Sequence, residues 1–323
     1  MNLAQRNEKT TIFIDGAAGT TGLSLQKRLE NVKIQQYFTL LHLPEKYRKE
    51  ESLRQEMMEK ADITVLCLPD SVARQAVSLA EKTATRILDA SSAHRVSEGW
   101  IYGFPELQRG HAKKIAYAHR VSNPGCYATG AIAILRPLIE AGVIPENYPL
   151  SLHGVSGYSG GGKGMISTWE SGNAPAFELY ALNQEHKHLP EIKKYASLER
   201  EPLFIPSVGN FLQGMIVFCP LQNDFLNRQL SLAEIRMLFI KYYADFIEEE
   251  GRGIRVLDGK ALLSEERLAP EEMAGRDDLL IRIHGTQKGR TLISAHFDNL
   301  GKGAAGGALT NLLLMHKGRL GLI

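Results

Sequence analysis

The sequence predicts an α/β protein: a doubly wound parallel sheet, followed by an α+β domain built on a mixed sheet. Three observations lead there. Strand and helix signals alternate through the first third of the chain. A glycine-rich turn, Gly16 to Gly22, joins the first strand to the first helix. Beyond the helix that follows Cys126, strand-like runs predominate.

Thr11-Ile12-Phe13-Ile14 reads as a short buried strand and Leu23 to Leu29 as a helix. Gln36 to Leu43 is the second strand and Ser52 to Lys60 a polar helix. The β-rich run Ile63 to Leu68 is closed by Pro69, and Ser71 to Lys82 is again helical. Arg86 to Asp89 is a fourth strand, followed by Ser91-Ser92. In such sheets ligands bind at the carboxyl ends of the strands. Ala128, Ala131, Ile132, Leu135 and Leu138 then mark a helix by their spacing. Asn123 is its expected N-cap, Pro124 its first residue and Gly142 its C-terminal glycine. Pro137 is expected to kink or end it.

Strand-like runs at Leu150 to Val155, Gly214 to Cys219, Leu279 to Ile283 and Thr291 to Phe297 predict the second, mixed sheet. Phe225 to Glu250 carries helical pattern and ends in Glu248-Glu249-Glu250, whereas Asp258 to Asp277 is polar and without clear period. The apolar helix Ala308 to His316 ends the chain and is expected to pack back on the first domain. The expected division is a discontinuous nucleotide-binding domain, residues 1–121 with 300–323, and a catalytic and oligomerisation domain, residues 122–299.

Composition excludes several classes of function. With 44% hydrophobic residues, 23% charged residues and a formal net charge of +2, charge offers no argument for nucleic acid or a membrane surface. Cys67, Cys126 and Cys219 are odd in number and widely spaced, which is neither a disulfide framework nor a metal site. Met1 to Thr10 lacks the apolar stretch of a signal peptide, and no run is long enough to span a bilayer. A cytoplasmic protein is expected, with no metal.

Ser122-Asn123-Pro124-Gly125-Cys126-Tyr127 is the most informative segment. A cysteine in the first turn of a helix meets unpaired N–H groups and the positive end of the dipole, which stabilise a thiolate. Most free cysteines are instead small buried hydrophobes. Gly16-Ala17-Ala18-Gly19-Thr20-Thr21-Gly22 follows a strand and opens a helix, as a pyrophosphate-binding turn does. Gly16, Ala18, Gly19, Thr20, Thr21 and Gly22 are therefore candidate cofactor contacts, Rossmann-like in kind. Lys46, Arg48 and Lys49 follow the second strand and favour NADP over NAD, against the acid Glu45. Leu68, Pro69, Ser91, Ser159, Gly160 and Asn299 complete the cofactor-binding candidates. Gly157 to Lys163 meets most of a phosphate-binding loop, but Gly164 stands where a magnesium-binding hydroxyl is required. That stretch is expected to be a flexible loop coming close to a ligand. His186 and His188, expected in an extended segment with both rings on one face, are the candidate proton carriers for Cys126. Pro190 is expected to start a helix beside His188.

With these residues in hand, the chain resembles the N-acetyl-γ-glutamyl-phosphate reductases in their shorter (type 2) variant. The resemblance rests on Phe13 to Gly22, Asp89 to Val96, Tyr102 to Leu107, Ser122 to Thr129, Ser156 to Lys163, His186 to Glu191, Pro206 to Asn210 and Asp298 to Gly306. Several of these segments recur in the related aspartate-semialdehyde dehydrogenases. The resemblance implies a cytoplasmic homodimer or homotetramer that reduces a small acyl phosphate with NADPH, in arginine biosynthesis. It implies attack by Cys126, release of phosphate, reduction of the resulting thioester by hydride, and a proton carried by His186 or His188. Which histidine acts stays open. No cation stands in Pro206 to Asn210 to pair with a substrate carboxylate, so Arg95 is the substitute candidate, with Asn123 and His186 as further substrate contacts. The alternatives are an aspartate-semialdehyde dehydrogenase, another acyl-phosphate reductase, or a silent NADP-binding sensor.

Overall fold

The computed structural model describes residues 8–145, 147–246, 253–257, 267–286 and 289–321. The polar N-terminal residues 1–7, the acidic run Glu248-Glu249-Glu250 and residues 258–266 of the polar stretch lie outside the described residues.

The chain begins with β1 (Thr10–Asp15), α1 (Thr20–Leu29), β2 (Phe38–Leu41), α2 (Glu51–Lys60), β3 (Ile63–Leu66), α3 (Asp70–Ala80) and β4 (Arg86–Asp89). Two short strands follow, β5 (Ile101–Tyr102) and β6 (Arg120–Ser122), separated by α4 (His111–Tyr117). These strands form one parallel sheet in the order β2-β1-β3-β4-β6-β5. Side chains alternate across it. Ile12 and Ile14 of β1 face a core that includes Leu25 and Leu29 of α1, while Phe13 faces one that includes Met58, Ala73 and Ala76. Each such fully buried aliphatic side chain contributes on the order of 1.5–3 kcal/mol. Both faces are covered by helices, which is why these strands read as near-continuous apolar runs.

The second half runs through α5 (Cys126–Glu140), β7 (Ser151–Gly157), α6 (Gly162–Glu170), β8 (Phe177–Leu179), α7 (Leu189–Ala196), β9 (Leu203–Gly209), β10 (Met215–Gln222) and α8 (Leu232–Tyr243). It closes with β11 (Ile254–Val256), β12 (Leu279–Gly285) and β13 (Arg290–Phe297). The sheet is mixed, in the order β11-β12-β13-β10-β7-β9-β8. Helix α5 lies directly on it: a Cβ at Gly130 would sit 2.8 Å from Phe297 and Val217. The last helix, α9 (Gly306–Arg319), packs with α4 and α1 and supplies Leu309 and Leu312 to the core of the parallel sheet.

The chain divides into two compact units. One runs through Pro105, then Gly110–Pro124, then from Ala304 on; the other is Glu106–Arg109 with Gly125–Gly303.

Helix α5 departs from expectation at its start and ends at the expected glycine. It starts at Cys126, with Gly125 as N-cap, rather than at Pro124 with Asn123 as cap. The Asn123 amide is taken elsewhere: its Nδ2 donates to Ala304 O at 3.1 Å and its Oδ1 accepts from Asn311 at 3.0 Å. Nor does Pro137 end the helix, which continues to Glu140. Pro137 has no N–H for the Ala133 carbonyl, and the Tyr243 hydroxyl donates to that oxygen instead, at 2.8 Å. Gly142, at φ 64°, then ends the helix, with the Gly142 and Val143 N–H groups on Ile139 O and Leu138 O.

Candidate active site

The glycine turn is built by contact as much as by flexibility. Gly16 adopts φ 91°, and a Cβ there would lie 2.3 Å from the Cys67 carbonyl oxygen. A Cβ at Gly22 would lie 2.5 Å from Gly16 O, so α1 sits tight on its own entry loop. Gly19 caps the helix, and Thr20, Thr21 and Gly22 form its first turn, where N–H groups point out of the helix end. Ala18 lies in the turn itself, and Leu68 packs near Gly16. Pro69 caps α3. Beside the turn, Asp15 at the end of β1 is buried with Arg54 of α2, whose Nη2 reaches Oδ2 at 2.7 Å. This ion pair was not singled out in the sequence, because its members stand 39 residues apart. Beyond β2, Arg48 pairs with Glu45 at 2.8 Å on the surface, and Lys46 lies over the Tyr47 ring.

At the end of β4, Asp89 organises its loop. It accepts from the Ser91 N–H at 2.9 Å, from the Ser91 hydroxyl at 2.8 Å, and pairs with His94 Nδ1 at 2.6 Å. The His94 ring stacks on Trp100. Ser91 also accepts from the Ala93 N–H, so its hydroxyl is committed inward. Arg95 is 7% exposed and donates from Nε to Asn123 O at 3.0 Å and from Nη2 to Ala90 O at 3.4 Å. Its described bonds hold backbone, and the Asn123 amide is likewise spent on protein groups. Both therefore brace the segment before Cys126.

Cys126 occupies the first residue of α5 and is partly exposed. The preceding N–H, of Gly125, is held by the buried Glu191 carboxylate at 3.1 Å. A Cβ at Gly303 would lie 2.9 Å from Cys126 Cβ, so only glycine lets that segment lie against Cys126. Next to Cys126, the Tyr127 ring rests on Gly154 and its hydroxyl donates to Ser207 O at 2.8 Å. Tyr127 packs edge-on against His186, at 5.8 Å between ring centroids, and lies 6.1 Å from His188. Tyr180 Oη is 3.3 Å from His186 Nε2. Burial pushes both phenols well up from the ordinary tyrosine value, and the nearby Cys126 charge adds to it. Both phenols therefore stay protonated at neutral pH.

The two histidines come together, though not in an extended strand. Residues 187 and 188 form a turn, with the Leu189 N–H on His186 O at 2.9 Å, and the rings meet at 4.6 Å. His188 is the N-cap of α7, and Pro190 is in its first turn. The His188 N–H donates to His186 Nδ1 at 3.1 Å. That bond assigns the neutral His186 proton to Nε2, facing Tyr180.

The segment expected as a flexible loop is largely helical. Tyr158–Gly161 forms a 3-10 turn that leads into α6, and the Tyr158 and Ser159 N–H groups bond Phe211 O and Leu212 O. The Ser159 hydroxyl accepts from Asn299 Nδ2 at 2.8 Å, while Asn299 Oδ1 accepts from the Gly214 N–H. Gly160 is close to Asn299, with room for a Cβ only at 3.3 Å from its Nδ2. Lys302 and Glu106, both inside quoted motifs but given no role, form a buried ion pair at 2.5 Å. Glu191 was also quoted without a role, since nothing local marks a partner 66 residues away. No cluster of His, Cys, Asp and Glu among the described residues forms a metal site, and no described helix is long and apolar enough to cross a membrane.

A parallel sheet with a glycine turn, joined to a mixed sheet whose first helix presents a cysteine, is the build of the semialdehyde dehydrogenases. Two family models match: "Semialdehyde dehydrogenase, NAD binding domain" over residues 11–115, and "Semialdehyde dehydrogenase, dimerisation domain" over residues 126–299. Solved structures of aspartate semialdehyde dehydrogenases share the fold. The Vibrio cholerae enzyme II, complexed with ASA, matches with a TM-score of 0.69 at 15% identity, over 95% of this chain and 98% of that one. The Candida albicans enzyme with NADP matches with a TM-score of 0.65 at 16% identity, over 97% of this chain and 100% of that one. By sequence the similarity is far higher to another branch. The N-acetyl-γ-glutamyl-phosphate reductase of Burkholderia cenocepacia (strain HI2424) is 43% identical over 310 residues, 94% of this chain and 96% of that protein. That of Brucella ovis is 44% identical over 316 residues, 95% of this chain and 99% of that protein. The chain belongs to the N-acetyl-γ-glutamyl-phosphate reductase family.

Proposed function

We propose that this protein reduces N-acetyl-γ-glutamyl phosphate to N-acetylglutamate 5-semialdehyde, releasing phosphate, as a step of arginine biosynthesis. The observation that carries the reading is Cys126 at the first residue of α5, beside the Tyr127–Tyr180–His186 cluster and against Gly303. The glycine turn fits NADP: Gly16 and Gly22 let the turn close on Cys67 and on itself, which leaves the N–H groups at the start of α1 to receive a pyrophosphate, and Lys46 and Arg48 offer cations to the extra phosphate. Ser159, Gly160 and Asn299 are held to one another by the Asn299–Ser159 bond and stay candidate cofactor contacts. Bound NADPH supplies the hydride.

The Cys126 thiolate attacks the acyl carbon, and phosphate departs with the electron pair of the broken C–O bond, leaving a thioester on Sγ. Glu191 holds the Gly125 N–H, so the developing oxyanion falls to the donors of the first turn, at Cys126 to Ala128. After reduction, the hemithioacetal hydroxyl loses its proton, the C–S bond breaks and the aldehyde leaves. His188 is assigned the proton traffic, because the Nδ1 of His186 is occupied by the His188 N–H. His186 then orients, through Tyr180. Arg95 and Asn123 shape the segment before the nucleophile. A cytoplasmic homodimer or homotetramer belongs to the same proposal, with the dimerisation-domain match as its support.

The test is the reverse reaction: NADP reduction with N-acetylglutamate semialdehyde and phosphate, for wild type and Cys126→Ala. Wild-type activity should require phosphate, and the variant should lose it by at least about a thousandfold while still binding NADPH. A variant near the wild-type rate would sink the thioester route. Preference for aspartate semialdehyde would move the protein to the sister branch.

A further inference from the structure

The chain passes between its two units at four points, after Pro105, Arg109, Pro124 and Gly303. Three of them are tied to one buried pair of amides. Asn311, on α9 and fully buried, donates from Nδ2 to Gly103 O at 2.9 Å and to Asn123 Oδ1 at 3.0 Å. Asn123 passes the connection on, donating from its own Nδ2 to Ala304 O at 3.1 Å. Gly103 stands two residues before the first crossing, Asn123 one residue before the end of its segment, and Ala304 opens the last. The backbone of Asn123 is also held, its N–H on Asp89 O at 2.7 Å and its oxygen on Arg95 Nε at 3.0 Å. All four polar groups of Asn123 are therefore bonded within the first unit. The fit at Gly103 is tight: a Cβ there would lie 2.3 Å from Asn311 Nδ2.

We propose that Asn311 and Asn123 are positioning residues for the reaction: a buried amide clamp that fixes the chain where it leaves the first unit, with Asn123 three residues before Cys126. Neither amide touches substrate in this scheme. Every polar group of Asn123 is bonded, while Asn311 Oδ1 is buried without a partner among the described residues, so the specificity of the clamp rests on the two bonds from Asn311 Nδ2. Buried polar bonds specify one geometry where apolar packing tolerates several. A nucleophile set back by about 1 Å loses on the order of 10²-fold in rate. The clamp is tied to the other end of the segment by nothing but Pro124 and Gly125, whose N–H is separately held by Glu191. The proposal rests on the function assigned above, because it needs a nucleophile whose placement limits the rate.

The experiment compares wild type with Asn311→Leu, which keeps the bulk and removes both donors. Three quantities are read: Kd for NADPH, kcat with KM for the phosphate-dependent reaction, and the rate constant for alkylation of Cys126 by iodoacetamide. The clamp requires Kd and KM within about threefold of wild type, kcat lower by 30-fold or more, and an alkylation rate shifted at least fivefold. A folded variant with kcat within threefold of wild type overturns it. So does loss of NADPH binding in step with activity, which is a merely structural effect. If Asn311→Leu does not fold, Asn311→Ser, with a hydroxyl donor, is judged by the same criteria. Failure of both to fold makes the pair a folding requirement and overturns the positioning role. If the wild type itself shows no phosphate-dependent activity, the assigned function fails, and the clamp is still decided by the alkylation rate alone.

Discussion

At the scale of single residues, three cysteines and two histidines divide the labour by environment. Burial pushes Cys67 and Cys219 up to about 12, so neither supplies a thiolate at neutral pH. Cys126 is partly exposed at a helix start. The place of Cys126 at a helix start was legible from the apolar stripe behind it, a local signal, although Gly125 rather than the expected Asn123 is the cap. The bond on which the proposed choice between the histidines rests was not, because no spacing reveals a 3.1 Å contact from the His188 N–H to His186 Nδ1. The contacts of Arg95 and Asn123 were hidden for the same reason: Arg95 reaches Asn123, and Asn123 reaches Ala304 and Asn311, across separate segments. The tautomer makes a prediction. His188→Asn should lower kcat by about 10²–10⁴, the usual range for a lost general acid–base, and should remove a limb of the pH–rate profile. His186→Asn should keep that limb and lose less. Steady-state kinetics across pH decides it, and equal losses with equal profiles would reject the assignment.

At the scale of elements, the sequence was most readable where strands are buried on both faces. β1, β3 and β4 appear at the expected places because the doubly covered parallel sheet demands unbroken apolar runs. Short or peripheral strands escaped. β5 has two residues, and β8 is an edge strand whose Phe177 and Leu179 are exposed. β9, a seven-residue strand that contains Pro206, was not among the expected strands. Helix α5 shows another case: Pro137, expected to kink or end the helix, lies inside one that continues to Glu140. A proline inside a helix costs about 3 kcal/mol, part of it the orphaned carbonyl. Tyr243 repairs that part from 110 residues away. Tyr243→Phe should therefore destabilise the protein by about 1–3 kcal/mol, since the Ala133 oxygen is left buried without its donor. Urea unfolding with an unchanged m-value would show it. A loss below about 0.3 kcal/mol would mean that Ala133 O finds another partner.

At the scale of the whole molecule, the net charge of +2 makes global repulsion a weak influence near neutrality, so individual buried groups set the response to acid. Three of them are histidines held below their ordinary value, and they are spread over both units. Burial lowers His153 and, together with Arg319 and Lys317, His316. His296 is the extreme: burial, Arg282 and His284 bring it down to about 3, and its Nε2 faces the Ser294 hydroxyl at 2.9 Å. The unfolded chain takes up a proton near pH 6.5 that native His296 refuses until about pH 3. Acidification therefore favours the unfolded state throughout that window, by up to about 1.4 kcal/mol per pH unit for this one group. Stability is intact above pH 6.5 and falls below it. Asp15 works in the other direction, since burial raises it despite Arg54. Urea unfolding at pH 7 and pH 5 separates these effects. Wild type should lose stability over that interval, and His296→Gln should lose less by about 1–2 kcal/mol, whatever its stability at pH 7. Parallel pH dependences of the two proteins would show that His296 charges in the native state, and would place the acid sensitivity on His316 and His153 instead.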